Sequence, residues 1–371
     1  MDRAQHDRIL KDLEKKMVFL TGPRQVGKTW LAKNIAGRFP KAVYLNYDRL
    51  EDRGIIEGER WLDTTDLLVL DELHKMPDWK NRLKGIYDTR PASLRILVTG
   101  SARLETSRQL GDSLAGRFFR HRLLPLSLAE LPPADRDLER LMRRGGFPEP
   151  YLAGNEVDAE RWRMQYIDGL IRTDVFDIER VHDLRAMQLV LELLRLRVGS
   201  PVSYSSIARD VAVSPNTVRK FVGILEALYV VFRVTPHSRD IARSLLSQPK
   251  IYFFDTGMVA GDEGARFENL VAVSLLKHVF ARADYQGERV DLCYLRTKDG
   301  EEVDFCLVRD GAAELMLETK VSGPDAGATL ARFHERTGTP AAAVFQHLRR
   351  EQHAGAVTLH GAENFLAGLM M

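Results

Sequence analysis

Residues 22–29, Gly22-Pro23-Arg24-Gln25-Val26-Gly27-Lys28-Thr29, follow an apolar run from Met17 to Leu20 and precede an amphipathic stretch that begins at Trp30. This order of strand, glycine-bounded loop and helix leaves few folds open. A loop that joins a strand to a helix with its N–H groups turned inward needs dihedrals that Gly22 and Gly27 can supply. The start of the helix adds more N–H groups and the positive end of its dipole. In the spacing G-x-x-x-x-G-K-[ST], Lys28 places its charge on the β- and γ-phosphates of a nucleotide, and Thr29 offers a hydroxyl to Mg²⁺. The nucleotide-binding set is Gly22, Pro23, Arg24, Gln25, Val26, Gly27, Lys28, Thr29, Trp30 and, from a later strand, Asp71, and the expected cofactors are ATP and Mg²⁺.

Further strands follow. Lys41 to Asn46 reads as a second strand. Asp66-Leu67-Leu68-Val69-Leu70-Asp71-Glu72 is a continuous apolar run ending in two acids, as a buried parallel strand requires. Alone, such a pair reads as a solvated strand end. Beside the phosphate loop it reads as a Walker B arrangement, with Asp71 in the Mg²⁺ shell and Glu72 orienting and polarising the attacking water. Leu94 to Ala102 is another buried strand ending in small polar residues, and Leu123-Leu124-Pro125-Leu126 reads as the last strand of the sheet, ended by proline.

The succession GPRQVGKT, LLVLDELHK, ILVTGSARL, LAGRFF and LLPLSLAEL is similar to that of AAA+-type P-loop ATPases carrying a C-terminal nuclease-like domain of unknown function, a family widespread in bacteria and archaea. The resemblance runs from Leu10 to about Val321 and implies a five-stranded parallel sheet between helices. In ring-forming ATPases a polar residue after the fourth strand, called sensor 1, touches the γ-phosphate or its water. Ser101 is the first choice here and Thr99 the second. Arg117, after Gly116 near the edge of the core, is a candidate arginine finger for a neighbour's γ-phosphate, with Arg120 the alternative and a plain surface arginine the competing reading. The expected assembly is a homo-oligomer, a hexameric ring being one form.

At 371 residues the chain has room for two or three domains. Four segments are expected: an ATPase core over 1–128, a lid-like helical region over 129–190, a winged helix-turn-helix over 191–236 and a nuclease-like domain over 237–371. A formal net charge of +2 is too small to draw nucleic acid by bulk electrostatics, though local patches can. The two cysteines, Cys293 and Cys306, have no metal-binding spacing and suit a reducing cytosol. The N-terminal MDRAQHDRILKDLEKK is charged, without the apolar core of a signal peptide, and no apolar run approaches the roughly 20 residues of a membrane span. A cytoplasmic protein without membrane contact is expected.

Ser203 to Tyr229 has helix-turn-helix form. Ser214 is a good N-cap and Pro215 stands at the first helical position. Val218, Phe221, Val222 and Leu225 fall on one face, which leaves Asn216, Thr217, Arg219 and Lys220 outward, where a recognition helix meets DNA. Packing against protein is the competing reading. In the last third, Glu302 to Val308 and Glu314 to Val321 read as strands. Asp304 and Glu318-x-Lys320 have the layout of the PD-(D/E)xK nucleases, and Glu268 on the preceding helix matches the first acid of that pattern. Residues i and i+2 of a strand share a face, so Glu318 and Lys320 project together. Two carboxylates, Asp304 and Glu318, can hold a divalent metal while the lysine positions a hydroxide for attack on a phosphodiester. Glu268, Asp304 and Glu318 are expected to converge within a few ångströms. A nuclease fold kept as a scaffold is the alternative.

The expected fold class is α/β: a P-loop AAA+-type parallel sheet, a helical and winged-helix middle, and a restriction-endonuclease-like α/β domain. The first functional expectation is an ATP-hydrolysing enzyme that binds and remodels DNA. Its rivals are a nucleotide-dependent switch that binds a protein partner through an inactive nuclease fold, and an ATP- and Mg²⁺-dependent nuclease.

Overall fold

The computed structural model describes residues 3–100, 114–175, 183–237, 248–297, 299–323, 327–348 and 350–371, so Ser101 lies outside the described residues. The chain forms two compact units, Met1–Leu124 and Pro125–Met371.

The first unit is built on five parallel strands, β1 (Met17–Thr21), β2 (Ala42–Asn46), β3 (Leu67–Asp71), β4 (Arg95–Thr99) and β5 (Phe118–Arg122), in the order β2-β3-β4-β1-β5. Every residue of β1 and β3 is buried, as expected of strands covered on both faces. Phe19, Leu68, Leu70 and Val98 form one side of the core with Leu83 and Ile86 of helix Trp79–Thr89. The last strand is Phe118–Arg122, and the apolar residues at 123–126 follow it. The reason for the difference is position. At the edge of the sheet β5 keeps only His121 fully buried, so its composition is mixed. Leu123 and Leu124 are buried without being part of the strand.

The second unit opens with helices Leu138–Arg144, Pro148–Leu152, Glu156–Gly169 and Leu184–Arg195. The Gly145-Gly146 break between the first two has a close-packing cause. Gly145 has φ +73°, and a Cβ there would lie 1.5 Å from Oδ1 of Asp255. Asp255 is buried and paired with buried Arg163 at 2.9 Å. The break therefore seats an ion pair in the interior. Helices Tyr204–Val211 and Pro215–Ala227 follow, each capped by a serine whose hydroxyl accepts a backbone N–H, Ser203 from Ser206 and Ser214 from Thr217.

An eight-stranded sheet completes this unit. Its strands are β6 (Val231–Pro236), β7 (Lys250–Phe253), β8 (Val290–Arg296), β9 (Glu302–Arg309), β10 (Ala312–Lys320), β11 (Ala341–Phe345), β12 (Gln352–Ala354) and β13 (Val357–Gly361), ordered β12-β13-β11-β10-β9-β8-β6-β7. Strand β6 pairs with β7 through Val231 to Val234 and with β8 through Thr235 and Pro236. The strands after the helix pair and the C-terminal strands thus share one sheet, which runs across residue 236. The long helix Glu263–Gln286 is capped by Asp262 and ended by Gly287 in the left-handed region. Among the described residues no helix is long and apolar enough to cross a membrane.

Candidate functional site

The phosphate loop leaves the C-terminal end of β1, the end at which ligands sit in parallel sheets. Gly22 has φ +145°, and a Cβ there would come within 2.1 Å of the Leu123 carbonyl oxygen, so only glycine fits beside the segment that follows β5. Gln25 at φ 60° and Gly27 at φ 98° continue the turn into helix Lys28–Ala36. Pro23 and Val26 are buried, whereas Arg24, Gln25 and Thr29 are exposed and Trp30 is 45% exposed. The buried Arg3 braces the loop from outside by donating to the carbonyls of Val26 at 2.9 Å and Leu124 at 2.5 Å. This brace is too distant in sequence for a motif to reveal.

Lys28 is buried, and its ammonium donates to the Gly22 and Pro23 carbonyls at 2.9 and 2.5 Å. Burial lowers its pKa to about 8; the charges of Glu72 and Asp71 act upward and that of Arg24 downward. The carboxylate of Asp71 accepts the Thr29 hydroxyl at 3.1 Å, and the hydroxyls of Tyr44 and Thr99 also donate to it. Asn46, Asp71 and Thr99 share one rung of the sheet. Burial and the bond to Asp71 push the Tyr44 phenol upward. Glu72 takes a left-handed conformation at φ 57°, unusual for glutamate, and its N–H is held by the Thr99 carbonyl at 3.1 Å. Its carboxylate lies 3.2 Å from Lys75, which also pairs with Asp48 at 2.6 Å. A hydroxyl and a carboxylate at the helix start, beside a buried ammonium, suit Mg²⁺ and phosphate: Thr29 and Asp71 would hold the metal and Lys28 the phosphates.

Of the other expected residues, Thr99 bonds to Asp71, and Ser101 lies outside the described residues. Arg117 sits next to Phe118, which pairs with Met17, the first residue of β1. It is therefore at the opposite end of the strands from the phosphate loop, about 16 Å away along a five-residue strand. There it makes a two-pronged pair with Asp88 at 2.8 and 3.0 Å. Arg120 lies within β5. Asn216, Arg219 and Lys220 are all exposed, while Val218, Phe221, Val222 and Leu225 are buried.

The C-terminal acids form a second site with a different centre. The last backbone rung between β9 and β10 pairs Phe305 with Leu317. Beyond it, Oδ2 of Asp304 accepts the Thr319 N–H and hydroxyl at 2.8 and 2.9 Å. Glu318 pairs with Lys320 at 2.8 Å. Lys250, on β7, is 1% exposed and lies 2.7 Å from Glu302, 3.4 Å from Glu268 and 3.7 Å from Asp304. Tyr252 donates to Glu268 at 2.6 Å. Burial and the Asp304 charge raise Glu268 to about 7 against the opposing effects of Lys250 and Tyr252. Burial alone would lower Lys320, but the bond to Glu318 and the surrounding carboxylates leave its pKa raised.

Glu268, Asp304 and Glu318 share one neighbourhood: Glu268 and Asp304 both face Lys250, and Lys320 feels the charges of Glu318, Asp304 and Glu268. Among the described residues, the one trio of His, Cys, Asp or Glu with ligand atoms all within 4.8 Å of one another is Glu139, Glu263 and His347, elsewhere in this unit. The ammonium of Lys250 stands among Glu268, Glu302 and Asp304. Strand alternation in the sequence reveals the faces of Glu318 and Lys320 but not the arrival of Lys250, Tyr252 and Glu302. Burial pushes both Cys293 and Cys306 up to about 12, so neither is a thiolate nucleophile near neutral pH.

Three families match successive stretches of the chain: an AAA domain over residues 14–132, a domain of unknown function (DUF8612) over 135–264 and another (DUF4143) over 263–360. An uncharacterized protein of Mycobacterium tuberculosis is 28% identical over 244 residues, 66% of this chain and 55% of that protein. The chain thus spans about half the length of the mycobacterial relative. An uncharacterized protein of Methanocaldococcus jannaschii is 23% identical over 336 residues, covering 80% of this chain and 73% of its own. Among solved structures, the Walker-type ATPase PABY2304 of Pyrococcus abyssi aligns with 70% of this chain and 94% of its own at a TM-score of 0.45 and 14% identity. The AAA domain match takes in all five strands of the first unit, whose parallel sheet and phosphate loop have the architecture of a P-loop ATPase core.

Proposed function

We propose that the chain is a Mg²⁺-dependent ATPase that binds and remodels DNA as a homo-oligomer. The observation that carries the ATPase reading is the placement of Lys28. Its buried ammonium at the start of the helix has Glu72 and Asp71 as the charges that favour its protonated form. Lys28 orients the phosphates, Thr29 and Asp71 would hold the cation, and Glu72 aligns the attacking water and draws on its proton. Mg²⁺, when bound, offsets the charge that develops on the phosphate oxygens.

Phosphate release by purified protein tests this. Lys28→Ala abolishes nucleotide binding. Glu72→Gln retains binding and loses turnover by about 10²-fold or more, the usual contribution of a positioned base. Undiminished release from Glu72→Gln protein removes that residue from the mechanism.

Contact with DNA is supported by the exposed row Asn216, Arg219 and Lys220 on helix Pro215–Ala227. A second reading is a nucleotide-dependent switch that engages a protein partner through a nuclease fold that does not cut. The position of Lys250 among the C-terminal acids favours it. Gel shifts with duplex, branched and single-stranded DNA separate the two.

A further inference from the structure

The acids of the second unit have the residue types of a metal-dependent nuclease, but their geometry is organised around an ammonium. Lys250 is 1% exposed, and an isolated charge so placed would be strongly disfavoured. Its three acidic neighbours supply what water cannot. Glu302 accepts a short hydrogen bond at 2.7 Å, Glu268 accepts at 3.4 Å, and Asp304 lies at 3.7 Å.

Other donors reach the same acids. Oδ2 of Asp304 takes both donors of Thr319. Glu268 takes the Tyr252 hydroxyl. Glu318, the acid expected to complete a metal shell, pairs with Lys320 two residues on. Mg²⁺ needs oxygens at about 2.0–2.1 Å in a nearly octahedral shell. A cation centred among Glu268, Glu302 and Asp304 would meet the ammonium of Lys250, and the ligand atoms of Glu268, Asp304 and Glu318 do not all lie within 4.8 Å of one another.

We propose that Lys250 occupies the position a divalent cation would take, so that this site binds no Mg²⁺ and cuts no phosphodiester. The lysine offsets one of the acids' charges, and the fold is held without a metal. This inference is independent of the ATPase reading.

The test uses the full chain without nucleotide and follows bound Mn²⁺ by its paramagnetic resonance signal. Wild type and Asp304→Asn retain the same Mn²⁺, because any background at Glu139, Glu263 and His347 is common to both. Lys250→Met, with folding checked by circular dichroism, binds Mn²⁺ at least about tenfold more tightly, the factor of a modest 1.4 kcal/mol gain. Adding Asp304→Asn to Lys250→Met removes the gain. Wild type leaves duplex and single-stranded DNA intact with either Mg²⁺ or Mn²⁺.

Mn²⁺ held by wild type and absent from Asp304→Asn overturns the proposal, as does metal-dependent cutting abolished by Lys320→Ala. A folded Lys250→Met with no gain overturns it as well. If Lys250→Met does not fold, the wild-type and Asp304→Asn comparison decides, since it needs no change at the buried lysine.

Discussion

Lys28 joins the chemistry of the first unit to pH. Its ammonium titrates at about 8 because burial disfavours its charge. A phosphate placed against it restores the proton, so nucleotide affinity falls as pH rises past 8, by up to about tenfold per unit. Stability moves the other way. The unfolded chain holds this proton up to 10.5, so the contribution of Lys28 to stability rises between about 8 and 10.5. Titration calorimetry in buffers of different ionisation enthalpy checks the first claim: proton uptake on binding grows above pH 8. A proton count that is flat from pH 7 to 9.5 would exclude it. The residues of this site are readable in the sequence because Lys28 and Thr29 stand in one loop and Asp71 and Glu72 end one strand. Tyr44, Lys75 and Lys250 are not, because each reaches its partners across strands or turns and has no fixed spacing from them.

At the scale of the element, the helix pair at 204–227 is legible because caps and apolar period agree. Ser203 and Ser214 both bind the N–H expected of an N-cap. Neutralising Arg219 and Lys220 together should weaken DNA binding for all sequences. It should also flatten the salt dependence, by about one unit of slope for each phosphate that the variant no longer neutralises. An unchanged slope in a filter-binding series would assign this helix to a protein partner. The edge strand β5 escapes a sequence reading for the opposite reason: only His121 in it is fully buried, and its mixed composition resembles a loop. The Gly145 break is visible as a break, but the ion pair it admits is not. Gly145→Ala drives a methyl into the carboxylate of Asp255. Disturbing a buried pair costs about 3–5 kcal/mol, and the midpoint of urea unfolding of the second unit should fall accordingly.

For the whole molecule, the division into two units gives each its own sheet and its own charged centre. Arg117 lies at the far end of the strands from the loop of its own chain, so a role in hydrolysis would have to be at a neighbour's loop. Arg117→Ala should then lower turnover while ATP affinity is retained, and wild-type turnover per chain should fall on dilution into the monomer range. Constant specific activity under dilution would make Arg117 a surface residue paired with Asp88. Another consequence lies in how the helix pair is mounted. The Val202 N–H bonds to the Pro249 carbonyl at 2.8 Å and Pro201 bridges Lys250, while β6 leaves the pair to lie along β7 on the other side. Both ends of the helix pair are thus fastened to the strand that carries Lys250, like a beam clamped at each support. The place of the helix pair is therefore tied to that of β7, and through it to the lysine at the head of that strand.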